Sequence, residues 1–272
     1  MPTSKKINQG LVKLTKKNIN DGRLGEKIKS ISGSDKVLTK KELIEERRKI
    51  IPDDGIGEDI YIFGYGSLLW NPTINYETQH LAKIYGFHRS FCMKTHLGRG
   101  SFKYPGLMLG LDRGGSCRGS AYKLNRNDAI KNIDILFKRE MVTGAYKPKL
   151  LKTKLDNDQI VSSLAFTVDK KHKNYFYEKN TSIKASMISK ANGFLGTCKE
   201  YFEYILSYAP YNNLTKQDYP PMLITTSLFD NRVLYSEPVK YIAKLRETKT
   251  DNNIQLLKCK MEAAGHGGMS GR

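Results

Sequence analysis

Two glycines flank one tyrosine in the run FGYGSL, residues 63–68, which directly follows an apolar stretch. Glycine permits backbone angles and close approach that other residues resist, so successive N–H groups of such a turn can face one concavity and hold an anion. A tight turn at the end of a strand explains the same glycines without a ligand. The run is not a dinucleotide-binding fingerprint, because GxGxxG would need glycine where Leu69 stands.

A single glutamate, Glu140, is the second candidate for chemistry. The apolar residues that precede it at helical spacing are Ile130, Ile133, Leu136 and Phe137. At about 100° per residue, Glu140 falls within their arc, whereas Lys138 and Arg139 fall outside it. Most helical glutamates are solvated. Burial on this face without a strong cationic partner would instead raise the pKa of the carboxyl toward neutrality, as a proton shuttle requires.

A basic stretch, GFHRSF at residues 86–91, and a glycine-rich turn at residues 114–122 complete the candidates. His88 and Arg89 can be interpreted as strand-face residues or as lining a pocket for a carboxylate, and a hairpin explains the glycines. Ser67 and His88 leave nucleophilic catalysis open as an alternative. The sequence shows no GxSxG elbow and no assignable third member for such a triad.

Composition narrows the classes of protein. The four cysteines are widely separated, with no CxxC and no histidine at metal-ligand spacing, so neither a zinc site nor a disulfide framework is predicted. No apolar run approaches the length of a membrane span, and the polar start carries no signal core, so we expect a cytoplasmic protein. The net charge of +19 admits nucleic acid, an anionic membrane surface or an anionic small molecule as partner. Without a recognisable nucleic-acid-binding module, we interpret the charge as a solvated lysine-rich surface.

The chain changes character near residue 57. Residues 1–57 are rich in Lys, Asn, Ser and Gly, and we expect a flexible basic extension containing one short helix, which begins at a capping box formed by Thr39 and Glu42. Short strands are predicted at 60–63, 82–85, 90–93, 107–111, 119–124 and 162–168. Helices are predicted at 125–141 and, interrupted at 191–193, at about 182–208. Strands followed by helices favour a mixed α+β or barrel-like fold. The final glycine-rich residues 265–272 predict a disordered tail or a remnant of cloning.

The motifs, taken in order, resemble the ChaC-like family of γ-glutamyl cyclotransferases, in the form typical of its bacterial branch. The matching elements are FGYGSLLW at 63–70, GFHRSF at 86–91, Pro105-Gly106, the turn leading to Ser120-Ala121-Tyr122, Arg139-Glu140-Met141 with Tyr146, LAFTVD at 164–169 and ANGFLGTCKEY at 191–201. The resemblance spans about residues 59–206. No single motif would suffice, but the ordered set is specific.

The resemblance implies a small mixed β-barrel flanked by helices, with no metal or organic cofactor. We therefore expect a lyase-type enzyme that cleaves glutathione to 5-oxoproline and cysteinylglycine, with Glu140 as general acid and base. The expected substrate-binding residues are Phe63, Gly64, Tyr65, Gly66, Ser67, Leu68 and Tyr146, although Tyr146 could equally serve packing. The enzyme domain is predicted at 58–245, followed by a tail at 246–272. Two alternatives stay open: a cyclotransferase for other γ-glutamyl amines, and a basic binding or regulatory module on the same fold.

Overall fold

The protein consists of two compact units, residues 1–202 (unit 1) and 203–272 (unit 2). The computed structural model describes residues 13–33, 36–55, 57–207, 210–228 and 235–262. The division between the units differs from the predicted boundaries after residues 57 and 245. It differs because the N-terminal residues pack on the barrel, and because the predicted tail takes part in a second sheet.

Five strands of unit 1 close into a barrel in the order β1-β3-β2-β4-β5. They are β1 Tyr61–Gly64, β2 Thr78–Thr95, β3 Gly106–Lys123, β4 Tyr146–Leu155 and β5 Ile160–Val168. Neighbours run antiparallel, except β1 and β5, whose parallel pairing closes the barrel. The predicted α+β fold with a small mixed barrel is confirmed.

Strands β2 and β3 are longer than the sequence predicted, because separate apolar runs merge into one ladder. The two strands pair from Thr78↔Lys123 to Thr95↔Gly106, with register shifts between Tyr85 and Phe87 and between Phe91 and Met93. Gly86 lies at the first shift with φ of 80°, a left-handed conformation that favours glycine. Polar residues between the apolar runs, such as the exposed Arg113 and Arg118, are accommodated within the ladder and do not end the strands.

The main helix of unit 1 is α4, Ala129–Glu140, which confirms the helix predicted at 125–141. Its Ile133, Leu136 and Phe137 pack with Leu164 and Phe166 of the barrel in one core cluster. The other helices are α1 Lys16–Asn20, α2 Arg23–Ile31, α3 Lys40–Arg48, α5 Thr181–Lys190 and α6 Cys198–Leu206. A short hairpin, β6 Asn192–Gly193 with β7 Gly196–Thr197, separates α5 from α6 where an interruption was predicted.

The N-terminal segment belongs to unit 1. Helix α3 begins at the predicted capping box, in which the side chain of Thr39 accepts from Glu42 N and the side chain of Glu42 accepts from Thr39 N. Hydrophobic residues of α1 and α2 are buried in one cluster with residues of and after α4: Ile19, Leu24, Ile28, Ile135 and Val142. These contacts differ from the expected flexible extension. The sequence hid them because the apolar residues are divided between two short helices.

Unit 2 contains two parallel strands joined through a helix: β8 Met222–Ser227, α7 Ser236–Thr248 and β9 Gln255–Lys260. The register runs from Met222↔Gln255 to Ser227↔Lys260. The end of α7 and all of β9 fall within the segment predicted as a tail from residue 246. The glycine-rich residues 265–272 lie outside the described residues. In the part of the chain that is described, no helix is long and apolar enough to cross a membrane.

Candidate active site

The FGYGSL loop leaves the barrel at the end of β1 and turns at once into a 3₁₀ helix, Ser67–Leu69. Two tyrosine hydroxyls hold it to the barrel: Tyr65 Oη donates to Phe166 O at 2.9 Å, and Tyr122 Oη donates to Leu68 O at 2.9 Å. A Cβ atom on Gly64 would lie 2.9 Å from the Tyr122 ring, so the close packing of the loop requires glycine there. The loop is therefore held rigidly against the barrel.

Helix α4 brings Glu140 to this loop at its last residue. The preceding Arg139 has a side chain that is 3% exposed, and its Nε lies 2.9 Å from Glu140 Oε1. The same guanidinium donates to Ser67 Oγ at 2.8 Å, to Thr73 Oγ1 at 2.9 Å and to the carbonyl oxygen of Asn71. Arg139 thus fixes the catalytic candidate and the loop to each other.

The Glu140 carboxyl is largely removed from water, since its side chain is 18% exposed. Burial raises its pKa above the ordinary value, and the charge and hydrogen bond of Arg139 oppose that rise without cancelling it. The expectation that Glu140 has no strong cationic partner is therefore wrong, whereas the expected direction of the shift holds. The helical wheel failed on Arg139 because its long side chain reaches the loop from outside the apolar arc.

Three tyrosines surround the carboxyl. Burial raises the pKa values of Tyr65, Tyr146 and Tyr201 above the usual range, and the Glu140 charge adds to each shift. These hydroxyls therefore stay neutral at physiological pH and can act as hydrogen-bond donors. Tyr146 Oη donates to Leu109 O at 3.2 Å, so part of its role is structural.

Two adjoining pockets meet at Glu140. The inner pocket, of about 410 Å³ counted to its open mouth, is lined by residues 65–68 of the loop together with Met108, Leu109, Glu140, Tyr146, Phe166 and Tyr201. The outer pocket, of about 850 Å³ on the same measure, shares Ser67, Met108, Glu140 and Tyr146 with the inner one. A proton-transferring carboxyl at such a junction can serve a bond whose two sides occupy different pockets.

Comparison with known proteins identifies the barrel. A family model for ChaC-like proteins matches residues 60–218, more than half of the chain. The chain belongs to the ChaC-like protein family. The glutathione-specific γ-glutamylcyclotransferase of Escherichia coli is 37% identical over 150 residues, which cover 55% of this chain and 64% of that relative. A crystal structure of a yeast γ-glutamyl cyclotransferase specific to glutathione shares the fold, with 15% identity, a TM-score of 0.52, and coverage of 71% of this chain and 98% of that one.

The C-terminal part of this ChaC-like chain has a second similarity. A family model for the prolyl oligopeptidase family matches residues 171–272. Protease 2 of Moraxella lacunata is 53% identical over 74 residues, which cover 27% of this chain and 10% of that peptidase. The chain therefore spans less than two thirds of the E. coli relative and about a tenth of the peptidase. The second similarity was not predicted from the sequence, which assigned residues 171–245 to the enzyme domain and only residues 246–272 to a tail.

The structure brings most of the expected site residues of this ChaC-like chain together. Tyr65, Gly66, Ser67, Leu68 and Tyr146 line the inner pocket with Glu140. Two others do not line it: Phe63 is fully buried in the barrel core, and Gly64 serves the close packing of the loop.

The alternative serine–histidine pair does not form. His88 Nδ1 lies 3.0 Å from Gly114 O on the outer hairpin, and His88 lines neither pocket. Ser67 Oγ is held by Arg139 instead.

Arg139 and Tyr201 also line the two pockets, but they were not among the site residues predicted from the sequence. Tyr201 lies on α6 after the β6–β7 hairpin, and its hydroxyl would lie 3.2 Å from a Cβ atom on Gly66. Its aromatic neighbour Trp70, at a ring-centroid distance of 5.5 Å, lies just after the loop. Arg139 and Tyr201 both belong to motifs that carry the family resemblance, and the sequence offered no other signal for them. Among the described residues, no group of three or more His, Cys, Asp or Glu side chains is arranged to hold a metal ion.

Proposed function

We propose that unit 1 is a γ-glutamyl cyclotransferase that cleaves glutathione into 5-oxoproline and cysteinylglycine. The observation that carries the proposal is Glu140, a largely buried carboxyl of raised pKa at the junction of two pockets, beside the FGYGSL loop. The relatives named glutathione-specific γ-glutamylcyclotransferase in E. coli and mouse support the choice of substrate.

In the proposed reaction, the α-amine of the γ-glutamyl residue attacks its own γ-carbonyl carbon. A C–N bond forms within a five-membered ring, and the C–N bond to the cysteine nitrogen breaks. Glu140 accepts the proton that the attacking amine loses and gives a proton to the departing cysteine amine, so the atoms balance without water or an oxidant. No covalent bond to the protein is needed.

The inner pocket would hold the γ-glutamyl head in the folded conformation that ring closure requires. Backbone N–H groups of residues 65–68, which line this pocket, would bind the α-carboxylate, and a donor at the γ-carbonyl would stabilise the developing oxyanion. The neutral hydroxyls of Tyr146 and Tyr201 line the same pocket. The attack is intramolecular in any case, so the pocket accelerates it by holding the substrate in the conformation in which the amine lies near the γ-carbonyl.

The test is to incubate the purified chain with reduced glutathione in ¹⁸O-labelled water and to identify the products by mass spectrometry. Cyclisation gives 5-oxoproline and cysteinylglycine without ¹⁸O from the cleavage step. Hydrolysis by a peptidase would give ¹⁸O-labelled glutamate instead. Parallel reactions with γ-glutamyl-alanine and after treatment with a chelator show whether other γ-glutamyl substrates react and whether a metal is required. Absence of 5-oxoproline from both substrates would overturn the proposal.

A further inference from the structure

The outer pocket is built partly by the N-terminal helices, which precede the region that the ChaC-like family model matches. Its lining includes the polar residues His96, Thr143 and Asn174. Its apolar lining includes Leu14, Leu24 and Ile28 of the N-terminal segment, here called the helical wall, which belong to one hydrophobic cluster with Leu97 and Phe194. The family match begins at residue 60, so the helical wall is an addition of this chain to the matched region.

Specific contacts fix the helical wall beside Glu140. Asn71 Nδ2 donates to Leu14 O at 2.8 Å, and the carbonyl oxygen of Asn71 accepts from Arg139. Leu24 and Ile28 are nearly fully buried, in one cluster with Val142, which follows Glu140 by two residues. The wall is thus connected through Asn71 to the arginine that holds the catalytic candidate.

The position of Glu140 determines which part of a substrate each pocket can take. The bond that breaks must lie within reach of Glu140, where the two pockets meet. If the γ-glutamyl head occupies the inner pocket, the group on the other side of that bond extends into the outer pocket. In cysteinylglycine this group has a soft, weakly polar thiol side chain and a polar peptide with a terminal carboxylate. The outer pocket offers both apolar and polar lining residues for these two parts.

We propose that the helical wall forms the binding subsite for the leaving group, and that it selects γ-glutamyl dipeptides whose second residue is apolar or sulfur-containing. The proposal rests on the proposed cyclotransferase function and adds the part of the molecule that recognises the leaving dipeptide. The outer pocket is about twice as large as the inner one, 850 against 410 Å³ counted to their open mouths, which favours the larger fragment of glutathione on this side.

The test narrows the outer pocket with Leu14→Trp and compares kcat/KM for glutathione with kcat/KM for γ-glutamyl-alanine. Leu14 is only partly buried, so the change should leave the fold intact, which thermal unfolding checks. We expect kcat/KM for glutathione, divided by kcat/KM for γ-glutamyl-alanine, to fall about tenfold. The tryptophan side chain should obstruct the larger leaving group, cysteinylglycine, more than the smaller one, alanine. The matched control is Leu81→Trp on the exposed face of β2, where Leu81 is 71% exposed.

Calorimetric titration with each product alone gives a second readout that does not depend on turnover. Leu14→Trp should weaken binding of cysteinylglycine about tenfold relative to wild type, and binding of 5-oxoproline by much less. Leu14→Ala, which widens the pocket, serves if the tryptophan variant does not fold, and should also weaken the dipeptide. An unchanged substrate ratio and unchanged dipeptide affinity in folded Leu14 variants would overturn the subsite. Failure of the wild-type chain to form 5-oxoproline would instead overturn the proposed function itself.

Discussion

Two buried arginines, Arg47 of α3 and Arg139 of α4, each pair with a carboxylate of helix α4, and the surroundings of their carboxylate partners differ. Arg47 and Arg139 both have side chains that are 3% exposed. Arg47 pairs with Asp134 of α4 at 3.0 Å and with Asp53 at 2.6 Å, and donates to Ile51 O at 3.1 Å. Arg139 pairs with Glu140 and with hydroxyl and carbonyl groups of the loop region. By contacts alone, both are buried ion-pair centres.

The carboxylates respond in opposite directions. Asp53 is 55% exposed, and hydrogen bonds from Arg48 and then Arg47 lower its pKa. Glu140 is 18% exposed, and burial raises its pKa despite Arg139. An arginine partner therefore does not by itself set the sign of the shift; access of the carboxyl to water decides it. The Arg47 region ties α3 to α4, whereas the Arg139 region presents Glu140, the proposed acid/base, to a pocket.

The largest expected effect separates the two carboxylates on α4. Glu140→Gln should lower kcat for 5-oxoproline formation by about 10²–10⁴-fold, because the amide cannot carry the proton. Asp134→Asn, a matched change six residues earlier on the same helix, should leave kcat within about twofold and lower stability only. Steady-state kinetics and thermal unfolding of both variants check this. Equal losses of kcat in the two variants would show that Glu140 has no catalytic role that Asp134 lacks.

Removing each arginine is the next test. Arg47→Met and Arg139→Met should each lower the free energy of unfolding by about 3 kcal/mol, because each leaves partners of a buried ion pair unsatisfied. Only Arg139→Met should also lower kcat/KM, since it frees both Glu140 and the loop. Denaturant unfolding and kinetics of the pair measure the two effects. An Arg139→Met variant of full activity would show that the ion pair serves stability alone.

A smaller effect is expected at Ser67. Ser67→Ala removes the hydroxyl that accepts from Arg139 at 2.8 Å, and should lower the free energy of unfolding by about 1 kcal/mol with a severalfold loss of kcat. Ser189→Ala, at an exposed serine that bonds to its own helix, is the control and should change neither quantity measurably. If both variants kept wild-type stability and kcat, the hydrogen bond between Ser67 and Arg139 would contribute to neither.

The smallest expected effect is at Tyr146. Tyr146→Phe removes a hydroxyl that donates to Leu109 O at 3.2 Å, a long bond within the site. We expect a change of KM for glutathione of about threefold, in line with loss of one neutral hydrogen bond. A loss of kcat as large as that of Glu140→Gln would give Tyr146 a direct part in the chemistry.

The sequence indicated Glu140 because a carboxylate on an apolar helical face is visible in the spacing of residues on one helix. Arg139 and Tyr201 were not predicted as site residues, because their roles depend on contacts with other elements: the turn after β1 for Arg139, and α6 brought back to the barrel for Tyr201. The merging of short runs into two 18-residue strands was also hidden, since a barrel tolerates polar residues on its outer face. The helical wall was not predicted, because Leu14 lies outside the helix that carries Leu24 and Ile28, and one apolar pair at helical spacing in a lysine-rich segment is too little to indicate a buried face.

The most direct test of the central claim is the pH dependence of kcat/KM for 5-oxoproline formation from glutathione. Glu140 can accept a proton only when ionised, and its raised pKa keeps it protonated to a higher pH than an ordinary glutamate of pKa about 4.3. Activity should therefore fall as pH decreases through that raised pKa. In the folded state burial disfavours the ionised carboxylate. The free energy of unfolding should therefore decrease as pH rises from the ordinary glutamate pKa through the raised pKa of Glu140.

Arg139→Met should move the acid limb of the profile to still higher pH, because the cation that lowers the Glu140 pKa is gone. Arg47→Met should leave the limb in place. This pattern is the result that the account predicts. A limb at the ordinary glutamate pKa, or one that moves equally in both arginine variants, would contradict the assignment of Glu140 as the acid/base of the reaction.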